Sequence, residues 1–130
     1  MSTIFSKIVS GEIPAYKIAE DDHFLAFLDV FPLAKGHTLV IPKVETDYIF
    51  DMHDADIAAM IIFAKKVAIA LGSAIPCIKV GISVIGLEVA HAHIHLIPMQ
   101  EVSDMNFSKE KLRFSNEQMQ QIAESIKSKL

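Results

Sequence analysis

Three histidines alternate along one apolar run, His91-Ala92-His93-Ile94-His95-Leu96-Ile97-Pro98, and make up half of the six in the chain. Successive side chains of a β-strand point to opposite faces, so His91, His93 and His95 share one face at a spacing of ~6–7 Å. Ala92, Ile94 and Leu96 then point the other way, into a core. Near neutral pH imidazole binds a metal, moves protons or attacks as a nucleophile. Spacing alone leaves these open, together with histidines that merely satisfy polar partners in a half-buried strand. Three ring nitrogens on one strand are a strained set for tetrahedral zinc, whose ligands usually come from two or more elements. Nucleophilic attack needs one ring nitrogen fixed as a donor, often to a backbone carbonyl, so that the other presents a lone pair. Phosphorus is the natural electrophile, because imidazole and backbone N–H groups stabilise its negative oxygens.

The elements that must position this face can be read from the chain. Ile4 to Val9 forms a short strand or helical turn, broken by Ser10-Gly11. An extended stretch follows Ile13-Pro14, and Asp21-Asp22 turns it into Phe24–Asp29, whose apolar residues on both faces predict a strand buried on both sides. His37–Pro42 is a third strand, rich in β-formers. Short turns between these strands predict an antiparallel meander. Asp54 to Leu71 predicts the long helix, with Asp54 as N-cap and Gly72 as the C′ stop. Its core stripe is Ile57, Met60, Ile61, Ala64, Val67, Ala68 and Leu71, which leaves Ile62, Phe63 and Ile69 as a second apolar face. Such a face is covered best by a second copy of the helix across a dimer interface. Ile75 to Ile85 is a further strand region, with Gly81 and Gly86 bracketing the turn into the histidine strand. Ser115 to Leu130 is a closing helix with a Ser115/Gln118 capping box and Met119, Ile122, Ile126 and Leu130 on one face. The order of elements is that of an α+β domain.

Bulk properties narrow the partners. The 130 residues fit one domain, and 52% hydrophobic against 22% charged residues is a globular balance on the apolar side. A net charge of −4 offers no basic footprint for nucleic acid or an anionic membrane. Cys77 is the sole cysteine, so no intramolecular disulfide or cysteine-based zinc site can form, which fits a reducing cytoplasm. Met1 to Gly11 carries Lys7 and Ser-Gly in place of a long apolar stretch, so no signal peptide is expected. No window approaches ~18 consecutive apolar residues, and no membrane span is expected.

The chain resembles the histidine triad (HIT) superfamily of nucleotide hydrolases and transferases, whose signature is His-x-His-x-His followed by apolar residues. The resemblance also runs through Ile4-Phe5-Ser6-Lys7-Ile8, Gly11-Glu12-Ile13-Pro14, Glu20-Asp21-Asp22, Leu25-Ala26-Phe27-Leu28-Asp29 and Gly36-His37-Thr38-Leu39-Val40-Ile41-Pro42-Lys43. It is closest to the Hint-like branch. It implies one HIT domain over 1–130, with a core at about 4–98 and a C-terminal extension with a helix at about 99–130. His93 is then similar to the nucleophile and His95 to the histidine that contacts phosphate oxygens. His91 matches the position whose carbonyl orients the nucleophile, and His37 the supporting histidine. Asp29 sits where the family binds ribose hydroxyls, and Phe5, Ile8, Ile13, Phe27 and Leu39 align with the apolar cleft for the base.

The implied activity is a purine nucleotide phosphoramidase or nucleotidyl hydrolase that works through a nucleotidyl-histidine, without cofactor or metal, as a cytoplasmic homodimer. The alternatives are a catalytically weak nucleotide-binding module and a dinucleoside polyphosphate hydrolase. A metal-dependent hydrolase is a further option. Two departures stand out. Thr3 and Ser6 lie where some bacterial members carry a zinc-binding cysteine pair, so no structural zinc is expected. Gly86-Leu87-Glu88-Val89 replaces a glutamine-containing segment, and the preceding loop is short and lacks an asparagine. Leucine donates no hydrogen bond. Glu88 is a candidate for handling the leaving-group proton if burial raises its pKa.

Overall fold

The computed structural model describes residues 3–130; Met1 and Ser2, the start of the segment expected to lack a signal peptide, lie outside the described residues. Three helices, α1 (Ile4–Ser10), α2 (Asp54–Ala74) and α3 (Asn116–Lys127), accompany five strands. The strands are β1 (Lys17–Glu20), β2 (Phe24–Leu28), β3 (Thr38–Pro42), β4 (Lys79–Ser83) and β5 (Ile94–Met99). Single 3-10 turns lie at Ile49–Asp51 and Val102–Met105. All four strand pairings are antiparallel, in the order β1-β2-β3-β5-β4. The meander thus covers β1 to β3, and β5 inserts between β3 and the edge strand β4.

The alternation expected of β2 divides the core. Phe24, Ala26 and Leu28 join Val40, Ile94 and Leu96 on one face, under α2 and α3. Leu25 and Phe27 join Leu39 and Ile41 on the other, under Phe5 and Ile8 of α1. Five consecutive buried residues in β2 are the signature of a strand covered on both sides.

Segment Ile4–Val9 is helical. The Thr3 hydroxyl accepts from Ser6 N at its start, and Gly11 closes it at φ 85°, a left-handed conformation that favours glycine. Helix α2 begins one residue after its N-cap, His53, so Asp54 is its first residue and not its cap. It continues through Gly72 to Ala74, and the Ile75 N–H closes it on Leu71 O. Gly72 needs no positive φ and does not stop the helix. Its buried stripe is Met60, Phe63, Ala64, Val67, Ala70 and Leu71. Phe63 therefore faces inward, against Phe24, while Ile61 joins Ile62 and Ile69 on the exposed side. By length and composition alone α2 is apolar enough to cross a membrane, but its inward stripe packs on the sheet.

Gly81 lies inside β4, where a Cβ would come within 2.2 Å of Met99 Sδ; the turn belongs to Gly86, at φ 71°. Helix α3 has the expected reciprocal Ser115/Gln118 capping box. It buries Met119, Ile122, Ala123 and Ile126, whereas Leu130 is exposed. Each such aliphatic burial is worth roughly 1.5–3 kcal/mol, so the C-terminal segment is an integral part of the main core.

Candidate functional site

Two chain turns bring a carboxylate and a histidine to one end of the sheet. Asp29 follows β2 and His37 precedes β3, with Asp29 N donating to His37 O at 3.0 Å. Gly36, at φ 89°, makes the turn possible, and a Cβ there would meet Leu71 Cδ1 and Ile75 Cγ1 at 2.9 Å. Phe31 N donates to Asp29 Oδ1 at 2.9 Å. The third contributor, β5, begins at Ile94, so of the triad only His95 lies in the ladder; His91 and His93 precede it. That lead-in is held by Ala92 N donating to Thr46 O at 2.6 Å and His91 N to Val89 O at 2.8 Å. All three histidines are buried on the α1 side of the sheet, while Ala92, Ile94 and Leu96 enter the opposite core.

Hydrogen-bond logic fixes every ring tautomer. Leu33 N–H donates to His37 Nδ1 at 3.0 Å, so the His37 proton sits on Nε2. That Nε2–H donates to His95 Nδ1 at 3.0 Å, which leaves His95 with an Nε2–H. His93 Nδ1–H donates to the His91 carbonyl at 2.7 Å, so His93 Nε2 presents a lone pair. His91 Nε2–H donates to Pro42 O at 2.8 Å, and its Nδ1 receives the Thr3 hydroxyl at 3.0 Å. The rings of His93 and His95 are 4.8 Å apart. One face thus offers a nitrogen nucleophile beside an N–H donor.

Burial disfavours the charged form of three of the rings, His37, His95 and His91. It pushes His37 down to about 3 and His95 to about 4, and it holds His91 below the ordinary histidine range. Burial also raises the Asp29 carboxyl, against the Phe31 N–H bond and the charges of His93 and Lys111. Asp29 Oδ2 lies 3.6 Å from His37 Nε2, and with His37 neutral this is a dipolar contact and not an ion pair. Asp29, His37 and His95 also offer three ligand atoms within 4.8 Å of one another. A cation on His37 Nε2 would force its proton onto Nδ1, against the Leu33 N–H. The donor set therefore fits the hydrogen-bond chain from Leu33 through His37 to His95 better than a metal.

The apolar residues expected around the base converge as well. Phe5, Ile8, Phe27 and Leu39 form one buried cluster with Leu25 and Ile41, and Ile13 packs on it half-buried. Phe5 stands edge-on to His93 at 5.0 Å and to Phe27 at 5.6 Å. Glu88 is the exception. It lies exposed in the bend before the triad, without the burial its expected role called for. Its neighbour Leu87 is 88% exposed.

Sequence reasoning missed four contributors. Phe107 packs its ring 4.7 Å from His95 and 6.2 Å from His37. Lys111 donates to the Phe107 carbonyl, and Leu112 N ties this segment to Pro32 O at 2.8 Å. Ser83 pairs with His95 across β4 and β5, which puts it on the histidine face, and among the described residues its buried Oγ has no partner. Thr3 reaches His91 across 88 positions of sequence. Only Ser83 left a trace in the sequence, as the polar residue of a strand that alternates toward the triad.

Comparison with known proteins places this geometry. Residues 10–102 match the family described as the HIT domain. An adenosine 5'-monophosphoramidase of Schizosaccharomyces pombe is 36% identical over 132 residues, covering 100% of this chain and 99% of that protein. The crystal structure of a Hit-like protein of Bartonella henselae superposes with a TM-score of 0.87 at 29% identity, covering 99% and 96% of the two chains. A zinc-bound histidine triad protein of Mycobacterium smegmatis gives a TM-score of 0.81 at 30% identity, covering 99% and 93%. Sequence, fold and the triad itself agree: the chain belongs to the HIT family.

Proposed function

We propose that the protein is a nucleotide hydrolase that cleaves purine nucleoside phosphoramidates at the α-phosphate through a nucleotidyl-histidine. The observation that carries this reading is the tautomer pair, His93 with a free Nε2 lone pair next to His95 with an Nε2–H. His93 Nε2 attacks phosphorus, the phosphorus–nitrogen bond breaks, and the leaving amine takes up a proton from water. The His95 Nε2–H donates to a phosphoryl oxygen as negative charge grows there, in a site with little water to screen it. The phosphorylated His93 ring is cationic, so its Nδ1–H bond to the His91 carbonyl strengthens in the intermediate. Water then attacks phosphorus and gives up a proton to solvent, the phosphorus–nitrogen bond to His93 breaks and returns the lone pair to Nε2, and the monophosphate is released. In this reading Asp29 accepts from ribose hydroxyls, Phe5, Ile8, Ile13, Phe27 and Leu39 receive the base, and Ser83 donates to phosphate.

The same reading includes a homodimer. Ile61, Ile62 and Ile69 of α2 and Ile82 of the edge strand β4 are all exposed, an apolar surface that a second copy would cover. A second functional reading, a nucleotide-binding module with weak turnover, is favoured by Leu87, an exposed side chain without a donor just before the triad. The test is hydrolysis of adenosine phosphoramidate by His93→Ala and His93→Asn. Turnover is expected to vanish while monophosphate binding survives; unchanged turnover removes His93 as the nucleophile.

A further inference from the structure

A second polar cluster meets where α1 begins. Glu45 Oε1 accepts from Ser6 Oγ at 2.6 Å and from Thr3 N at 3.0 Å. The Thr3 hydroxyl oxygen accepts from Ser6 N at 3.0 Å. Its proton has two acceptors, His91 Nδ1 at 3.0 Å and Ser6 Oγ at 3.3 Å, and the ring nitrogen is the nearer. The Pro42 carbonyl already holds the His91 Nε2 proton, so His91 Nδ1 must receive one, and among the described residues Thr3 supplies it.

We propose that Thr3 is a positioning residue for the nucleophile, acting through His91. His91 lies outside β5, so no strand ladder fixes its carbonyl, the group that orients His93. Its ring is a strut between the α1 cap and the end of β3, and the ring is fully buried. With Thr3 donating, the strut has one stable tautomer, and the carbonyl on the same residue has one direction. Without that donor, a buried ring nitrogen is left unsatisfied and the ring can exchange tautomers. Glu45 and Ser6 complete the device: Glu45 holds the Thr3 backbone N–H, and Ser6 N donates to the Thr3 hydroxyl oxygen. Phe5, two residues beyond Thr3, stands edge-on to His91 at 5.8 Å and to His93 at 5.0 Å, so the cap also seats the ring that packs against the nucleophile.

This proposal rests on His93 being the nucleophile, and three variants separate it from that reading. Thr3→Ser keeps both the cap and the donor, and kcat is expected to stay within about twofold. Thr3→Asp keeps a cap acceptor for Ser6 N but cannot donate to His91. With the thermal midpoint near that of the wild type, it is expected to lower kcat about tenfold at unchanged KM, the worth of one oriented hydrogen bond. The ring-nitrogen resonances of His91 are expected to show an unprotonated Nδ1 in the wild type and a protonated one in Thr3→Asp. Should Thr3→Asp fail to fold, Thr3→Val, which loses the cap as well as the donor, is compared with Thr3→Ser through the kcat-against-KM split of the folded protein. Wild-type kcat in Thr3→Asp, or a wild-type His91 protonated at Nδ1, overturns the proposal. Wild-type protein without turnover defeats the functional reading alone, and the ring-nitrogen comparison still decides whether Thr3 fixes His91.

Discussion

His95 is useful only while its Nδ1 is an acceptor, and His37 guarantees that. The Leu33 N–H sets His37, His37 sets His95, and the outcome is a donor aimed at the open face. His37→Ala should therefore lower kcat about tenfold without removing the nucleophile, since one relay hydrogen bond is lost. Steady-state kinetics on adenosine phosphoramidate checks it. Ser83 offers a test with two readouts of opposite sign. Its buried hydroxyl has no partner among the described residues, so Ser83→Ala should raise the thermal midpoint by removing a penalty of about 1–3 kcal/mol. If the hydroxyl serves the phosphate, the same variant raises KM several-fold. A lower midpoint, or an unchanged KM, separates the two roles.

Among the elements, β1 to β3 and the closing helix were legible, whereas the start of the triad strand, which begins only at Ile94, and the ends of α2 were not. Continuous apolar residues in β2 and the capping box of α3 are local signals, and the structure honours both. Gly72 misled because a glycine near a helix end commonly stops it, yet here packing of Leu71 and Ile75 against the Gly36 turn carries the helix onward. Phe63 misled because a helix apolar on two sides does not reveal which side faces the sheet. In the site, the histidines, Asp29 and the apolar cluster could be read from spacing and resemblance. Thr3, Phe107 and Lys111 could not, because they reach the site by tertiary contacts that no periodicity encodes. The Gly36 turn is the most sensitive joint. Gly36→Ala must take a positive φ and push on Leu71 and Ile75, at a cost of about 1–3 kcal/mol, measurable by denaturant unfolding. Because this turn carries His37, activity should fall with it.

For the molecule as a whole, the burial of His37, His91 and His95 makes stability depend on pH. His37 and His95 titrate at about 3 and 4 when folded, against 6.5 as free side chains, and His91 shifts the same way. The unfolded chain therefore binds more protons below pH 6.5, and the stability present above that pH is lost as pH falls toward 4. Each such proton steepens the loss by about 1.4 kcal/mol per pH unit. Asp29, raised by burial, works in the opposite sense and offsets part of it. Chemical denaturation between pH 7.5 and 4.5 should show this slope, and replacing His37 should reduce it. The proposed homodimer is checked by sedimentation of Ile62→Glu, which should leave a folded monomer.

The central claim is that phosphorus passes through His93. The most direct measurement is rapid quenching of enzyme mixed with adenosine phosphoramidate, followed by mass spectrometry of the intact chain and its peptides. The account predicts a transient mass increase of one nucleoside monophosphate, less water, localised to His93 and absent from His93→Ala. Turnover at the normal rate with no adduct at any time, or an adduct on another residue, would contradict it.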